Sequence, residues 1–178
     1  MITKWWKKIL EYLPVSITNM SYGPQIKNID GVTRFLFSRT GKTPWLQTNV
    51  YFNTSGSDGF RVGMGATPPT DQDYALDSVI TAGLTGRVVS DTPPATRDAN
   101  GNVVSSWILT LQNTSSSDIT VSEVGYYGNQ SCSNTDGGVS SNQLVMYFRD
   151  VLNNPVTIAA GDTVAINVHM KVFDSDNA

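Results

Sequence analysis

The sequence predicts an all-β protein: a two-sheet β-sandwich or jelly-roll-like domain preceded by one short amphipathic helix. Three observations carry this expectation. About ten short segments alternate apolar and polar residues with a period of two, as half-buried strands do. Clusters of Gly, Pro, Asn and Asp divide them at intervals of roughly 8–15 residues, the spacing of sandwich strands. Only residues 1–13 follow a helical period.

In that first stretch Ile2, Trp5, Trp6, Ile9, Leu10 and Leu13 fall on one helical face, and Lys4, Lys7, Lys8 and Glu11 on the other. Thr3 suits the cap and Pro14 ends the helix. So short a helix is marginal alone and needs a surface to lie on. The expected organisation is an anchor over residues 1–14 and a β-domain over residues 15–178.

From Val15 the period is two. Residues 15–19, 25–29 and 32–38 are strand candidates, and Asp30-Gly31 between the last two signals a type I′ hairpin. Residues 46–52 and 60–64 follow as strands. Residues 63–77 hold two glycines and Pro68-Pro69 and read as irregular. Extended structure resumes over residues 79–90, and residues 91–101 form a loop.

The last third is the most regular. In residues 103–113, Trp107, Leu109 and Leu111 face one way and Ser106, Ile108 and Thr110 the other. In the next strand Ile119, Val121, Glu123, Gly125 and Tyr127 share a face. Residues 128–142 are Ser/Gly/Asn-rich and read as a loop. A strand over residues 143–152 ends at an Asn153-Asn154-Pro155 turn. Residues 156–158, the turn 159–162 and the final strand read as a hairpin, with Val164, Ile166, Val168, Met170 and Val172 on its core face.

Composition narrows the function. The 15% charged fraction is well under the ~25% usual for soluble domains, which suits a component of an assembly. A net charge of −3 argues against a nucleic-acid-tracking surface. No apolar run reaches the ~18 residues of a membrane span. The one cysteine, Cys132, excludes an internal disulfide.

Motifs for chemistry are weak. Gly63-Met64-Gly65 lacks the Gly-Lys-Ser/Thr of a phosphate loop and reads as a structural turn. Asp71, Asp73 and Asp77 lack the glycine and bidentate glutamate of a calcium loop. His169, the only histidine, stands mid-strand without a nucleophile elbow. Tyr126, Tyr127, Trp107 and Trp45 could line a sugar-stacking platform, although strand aromatics more often pack in cores. No catalytic residue, metal or cofactor is expected.

Two features stand out. Alternation aims Glu123 inward, where a carboxylate is costly unless paired. Arg149 stands on the neighbouring strand with Val145, Tyr147 and Val151 on its face, so a buried Glu123–Arg149 pair is expected, or Glu123 bonded to backbone N–H groups of an adjacent loop; the competing reading is an edge strand on which Glu123 points to water. The second is Trp5 and Trp6. They fit docking into a neighbouring subunit, packing on their own sheet or lying on a membrane surface. Docking through Trp5, Trp6, Ile9, Leu10 and Leu13 is the expectation adopted.

The order of several pieces resembles a known family. Asn113 with its Ser/Thr turn leads to Ile119-Thr120-Val121-Ser122-Glu123-Val124-Gly125-Tyr126. Arg149-Asp150-Val151-Leu152, Pro155-Val156-Thr157-Ile158 and Gly161-Asp162 follow. Upstream stand Gly63-Met64-Gly65, Pro68-Pro69 and Asp73-Tyr74-Ala75-Leu76. Together they resemble small β-sandwich virion proteins of tailed bacteriophages, over residues 60–173. The resemblance implies a non-enzymatic particle component, such as a capsid decoration or a tail or neck accessory protein. Its implied partners are capsid, portal/neck or tail subunits and copies of itself as a homo-oligomer. The alternative is a carbohydrate-binding module assisting adsorption to the host surface.

Overall fold

The computed structural model describes residues 25–36, 51–56, 58–90, 96–97, 103–133 and 141–172. The helix expected over residues 1–13, the strand at 15–19 and most of that at 46–52 lie outside them. The described residues form strands and no helix: β1 (Gln25–Lys27), β2 (Thr33–Leu36), β3 (Gly59–Gly63), β4 (Leu84–Ser90), β5 (Thr96–Arg97), β6 (Val103–Asn113), β7 (Ile119–Ser133), β8 (Ser141–Ile158) and β9 (Thr163–Val172).

Two packed sheets result. The first contains β1, β2, β3, β7 and β8, and the second β4, β5, β6 and β9. All pairings between these strands are antiparallel. The last four strands are one long hairpin folded at its middle. β7 pairs β8 from Ile119↔Ile158 to Cys132↔Ser141, and β6 pairs β9 from Gln112↔Thr163 to Val103↔Val172. Each arm therefore crosses between the sheets, at residues 114–118 and 159–162. The hairpin expected between residues 156–158 and the last strand is such a crossing instead: its two sides belong to different sheets.

Asn113 holds both crossings together. Fully buried, it donates through Nδ2 to the Ser117 carbonyl at 2.8 Å and the Ile158 carbonyl at 2.9 Å. Its Oδ1 accepts from the Ser115 N–H and hydroxyl. Its backbone N–H donates to the Asp162 carbonyl, and its carbonyl accepts from the Gly161 N–H. Ser and Asn do this because short polar side chains mimic backbone groups in tight turns.

The main core lies between the sheets. Phe60 is its hub, with ring centroids 5.0 Å from Tyr126, 5.6 Å from Trp107 and 5.8 Å from Phe148. Trp107, Leu109, Leu111, Ile166 and Val168 supply the second sheet's side. Each such side chain contributes on the order of 1.5–3 kcal/mol by leaving water. Along β9, Ala165, Asn167 and His169 are exposed between the buried residues, as plain alternation requires.

Alternation fails on β7 and β8, and two irregularities explain it. Val121 pairs Val156 but Glu123 pairs Val151, so residues 152–155 make an excursion from the ladder. Val121 remains in the main core while Glu123 turns to the outer face of the first sheet. Tyr126 pairs Phe148 but Tyr127 pairs Met146, leaving Tyr147 as the extra residue of a bulge. Tyr147 and Phe148 both enter the main core, and Arg149 is directed outward. The expectation that Val145 and Tyr147 share the Arg149 face is thereby corrected.

Three smaller expectations also change. Asn153-Asn154-Pro155 does not end the strand, because Pro155, which lacks an N–H, sits in the unpaired excursion. β7 continues to Ser133 and β8 begins at Ser141, so the expected loop over residues 128–142 is much shorter. The Asp30-Gly31 turn is not type I′, which needs positive φ at both central residues. Gly31 alone adopts it, at 74°, after a turn closed by the Gly31 N–H on the Asn28 carbonyl.

Candidate functional site: a clamped strap over the first sheet

Every residue of β3 is buried, as are residues 121–128 of β7. A strand buried on both faces needs a second cover, and residues 64–79 provide it. This strap leaves β3 at Gly63 and returns alongside it. Gly63 bridges Val79, the Met64 N–H donates to the Ser78 carbonyl at 2.8 Å, and the Ile80 N–H to the Val62 carbonyl at 3.0 Å. Its ends meet as in an Ω-loop. Beneath it a second apolar cluster forms from Leu76, Tyr127, Leu144 and Met146.

The strap has no ladder for its own N–H groups, and Glu123 supplies acceptors. Its Oε1 accepts from the Gly65 N–H at 3.0 Å and the Ser78 N–H at 2.9 Å. Its Oε2 accepts from the Asp77 N–H at 3.2 Å and from Arg149 Nε at 2.8 Å. Glu123 is 0% exposed and Arg149 1%. The structure thus brings the two together and also gives Glu123 the backbone N–H partners. Arg149 spends its remaining donors on the strap: Nη1 on Asp73 Oδ2 at 2.8 Å, Nη2 on Asp77 Oδ2 at 2.7 Å and on the Thr67 carbonyl at 3.0 Å.

Glycine makes room for the carboxylate. A methyl group at Gly65 would stand 2.5 Å from Glu123 Oε1, and one at Gly63 would stand 2.9 Å from Glu123 Cδ. At Gly125 it would meet Leu76 Cδ2 at 3.0 Å. Gly63 and Gly65 are therefore what lets Glu123 approach the backbone, and of the Gly63-Met64-Gly65 run it is the Gly65 N–H that bonds it.

Burial would lower the ionisation of Arg149, but bonds to Asp73 and Glu123 and the charges of Glu123 and Asp77 outweigh it and hold the guanidinium more firmly charged than usual. Burial likewise raises the Asp73 carboxyl, while hydrogen bonds from Thr70 and Arg149 carry it below its ordinary value. Beside them Arg61 lies over the Tyr127 ring, 4.8 Å from its centroid, and burial lowers its pKa. Tyr127 accepts from the Leu76 N–H at 2.9 Å, and burial pushes its hydroxyl up to about 12. Lys27 of the hairpin stands 5.2 Å from the Tyr74 ring, tying the strap to β1.

Each carboxylate that meets Arg149 accepts a hydrogen bond from it, so the arrangement fastens the strap to the first sheet. Asp71, Asp73 and Asp77 do not converge: Asp71 bonds Gln72 while the other two bond Arg149. Trp107, Tyr126 and Tyr127 are buried and form no sugar platform, and Trp45 lies outside the described residues. His169 Nδ1 lies 2.9 Å from Ser106 Oγ on the open face of the second sheet, whose strands contain no Asp or Glu. Trp5, Trp6, Ile9, Leu10 and Leu13 lie outside the described residues. Sequence reasoning missed Asp73, Asp77 and Thr67 as partners of Arg149. The available signal was an irregular, proline-interrupted stretch long enough to need an anchor.

The chain matches no family model, no curated protein and no solved structure. The fold and site define an all-β domain of two packed sheets with a strap clamped on one outer face.

Proposed function

We propose that this chain is a structural component of a tailed-phage virion, a β-domain on the head, neck or tail. In this reading the folded hairpin of β6–β9 is a jelly-roll-like unit, and an N-terminal helix docks on a neighbouring subunit through Trp5, Trp6, Ile9, Leu10 and Leu13. One observation supports it above the others: the scattered pieces of the family resemblance meet at two buried polar nodes. Asn113 bonds the Ile158 carbonyl and both Gly161 and Asp162. Glu123 bonds Gly65, Asp77, Ser78 and Arg149. Residues that read as a pattern along the chain thus act as one framework in space, and a framework is what such a particle protein would retain. The carbohydrate-binding alternative would have to use aromatics other than the buried Trp107, Tyr126 and Tyr127.

The test is to quantify the chain in purified particles by mass spectrometry and locate it by cryo-electron microscopy. A fixed copy number with density for the β-domain on the particle surface is expected. Removing residues 1–14 should leave a folded domain missing from particles. Absence of the full chain from particles would refute the virion role, and normal incorporation of the shortened chain would refute helix docking.

A further inference from the structure

The two outer faces of the sandwich differ in charge. The chain has 15 acidic residues, yet none stands in β4, β5, β6 or β9. The ionisable side chains in those strands are Arg87, Arg97, His169 and Lys171. Arg87, Val89, Asn167 and His169 are exposed on the open face of the second sheet, with Ile108 half-buried at its centre. Val89 is 44% exposed there. On the opposite side of the molecule lies the strap. Residues 64–79 contain three Asp and no Lys or Arg, and their compensating Arg149 is buried beneath them. Met64 is 55% and Tyr74 37% exposed there, and Asp71 faces water.

We propose that the open face of the second sheet is a docking surface for a second copy of this chain, taking up that copy's strap face head to tail. Charge complementarity names the occupant: strands free of carboxylates and bearing Arg87 fit the strap face, where Asp73 and Asp77 are paired with Arg149 while Asp71 is exposed and bonds its neighbour Gln72. Each face also offers exposed apolar side chains, Val89 on one and Met64 and Tyr74 on the other, for the desolvated centre that a specific interface needs. Because the faces are on opposite sides, each copy engages two neighbours. Such a heterologous contact closes into a ring or runs on as a filament. The inference shares the homo-oligomer of the virion reading but is a property of the purified chain, so either can fail alone.

The experiment is sedimentation velocity of the full chain over a concentration series at low and high salt. Concentration-dependent assembly that weakens with salt is expected, since screening shortens exposed charge interactions to about 10 Å at 0.1 M. Arg87→Glu and Asp71→Lys should each weaken self-association about tenfold or more, the scale of one like-charge contact across an interface. Thr85→Glu, on the same open face, is a second variant with no role in the core. The decisive arm mixes Arg87→Glu/Val89→Asp chains with Asp71→Lys chains. Each retains one intact face and the two altered faces carry opposite charges, so the mixture should associate where neither chain does alone. A chain that stays monomeric at low salt, assembly unchanged by Arg87→Glu and Thr85→Glu, or a mixture that forms no dimer would overturn the proposal.

Discussion

Replacing Arg149 with Met tests the clamp most directly. The change keeps most of the side-chain volume and removes four hydrogen bonds, to Glu123, Asp73, Asp77 and the Thr67 carbonyl. Breaking a buried ion pair by deleting one partner costs about 3–5 kcal/mol. The lower end applies here, because Glu123 keeps three backbone N–H donors and is not left bare. Asp77 is 39% exposed and Asp73 18%, so both regain water and their loss adds little. The expected loss is about 3 kcal/mol, roughly a 6–12 °C fall in Tm for a domain of this size. Urea unfolding followed by fluorescence measures it. Amide exchange at Gly65 and Ser78 should stay slow, while exchange and proteolysis near Thr67–Asp73 should quicken first. A loss below about 1 kcal/mol, the scale of a surface pair, would refute the reasoning. So would uniform loosening of the whole chain with no preference for the strap.

Four further outcomes follow from the same geometry. Gly65→Ala places a methyl group 2.5 Å from Glu123 Oε1 and should destabilise the fold about as much as Arg149→Met in the same urea titration. Asn113→Asp keeps the shape but aims an acceptor at the Ser117 and Ile158 carbonyls, each formerly served by Nδ2, and should cost about 3 kcal/mol by calorimetry. Asp73 is held below its usual 3.8, so its stabilisation is complete above that pH and is lost as pH falls through the lower folded value; Asp73→Asn should flatten that part of the acid-unfolding curve. At the alkaline end, burial pushes Tyr126 and Tyr127 from 10.0 to about 12 and Cys132 from 9.0 to about 12, so stability should decline as pH climbs through that range, and Cys132 should react with thiol reagents at pH 8 only as fast as the chain opens.

Much of the second sheet was legible in the sequence. β6 and β9 pair without a register shift, so alternation alone sorts Trp107, Leu109, Leu111, Ile166 and Val168 from Ser106, Thr110, Asn167 and His169. The first sheet was less so, because period-two reasoning carries an error past every bulge. One extra residue at Tyr147 and the excursion at residues 152–155 exchange faces along β7 and β8. The Glu123–Arg149 proximity was reachable because no register shift falls between Glu123↔Val151 and Gly125↔Arg149. The strap was not, since an irregular stretch has no period and its anchors lie 45 to 82 residues away along the chain.

The use of an ion pair here, where apolar residues of equal volume often serve stability as well or better, has a physical reason. An apolar side chain at position 123 would strip the N–H groups of Gly65, Asp77 and Ser78 of their acceptor, at about 1–3 kcal/mol for the buried Gly65 group and less for the two part-buried ones. A neutral amide has only one acceptor atom for the same three donors. A carboxylate offers two, and once buried it needs a cation; Arg149 provides one that is also a planar fork able to reach Asp73, Asp77 and Thr67. The pair therefore follows from the strap: a cover without a ladder requires a carboxylate under its backbone, that carboxylate requires the arginine, and the arginine in turn fixes where the strap's own aspartates lie. What remains free to vary is the outward side of the strap, where Met64, Asp71 and Tyr74 meet solvent on a support that holds them in one arrangement.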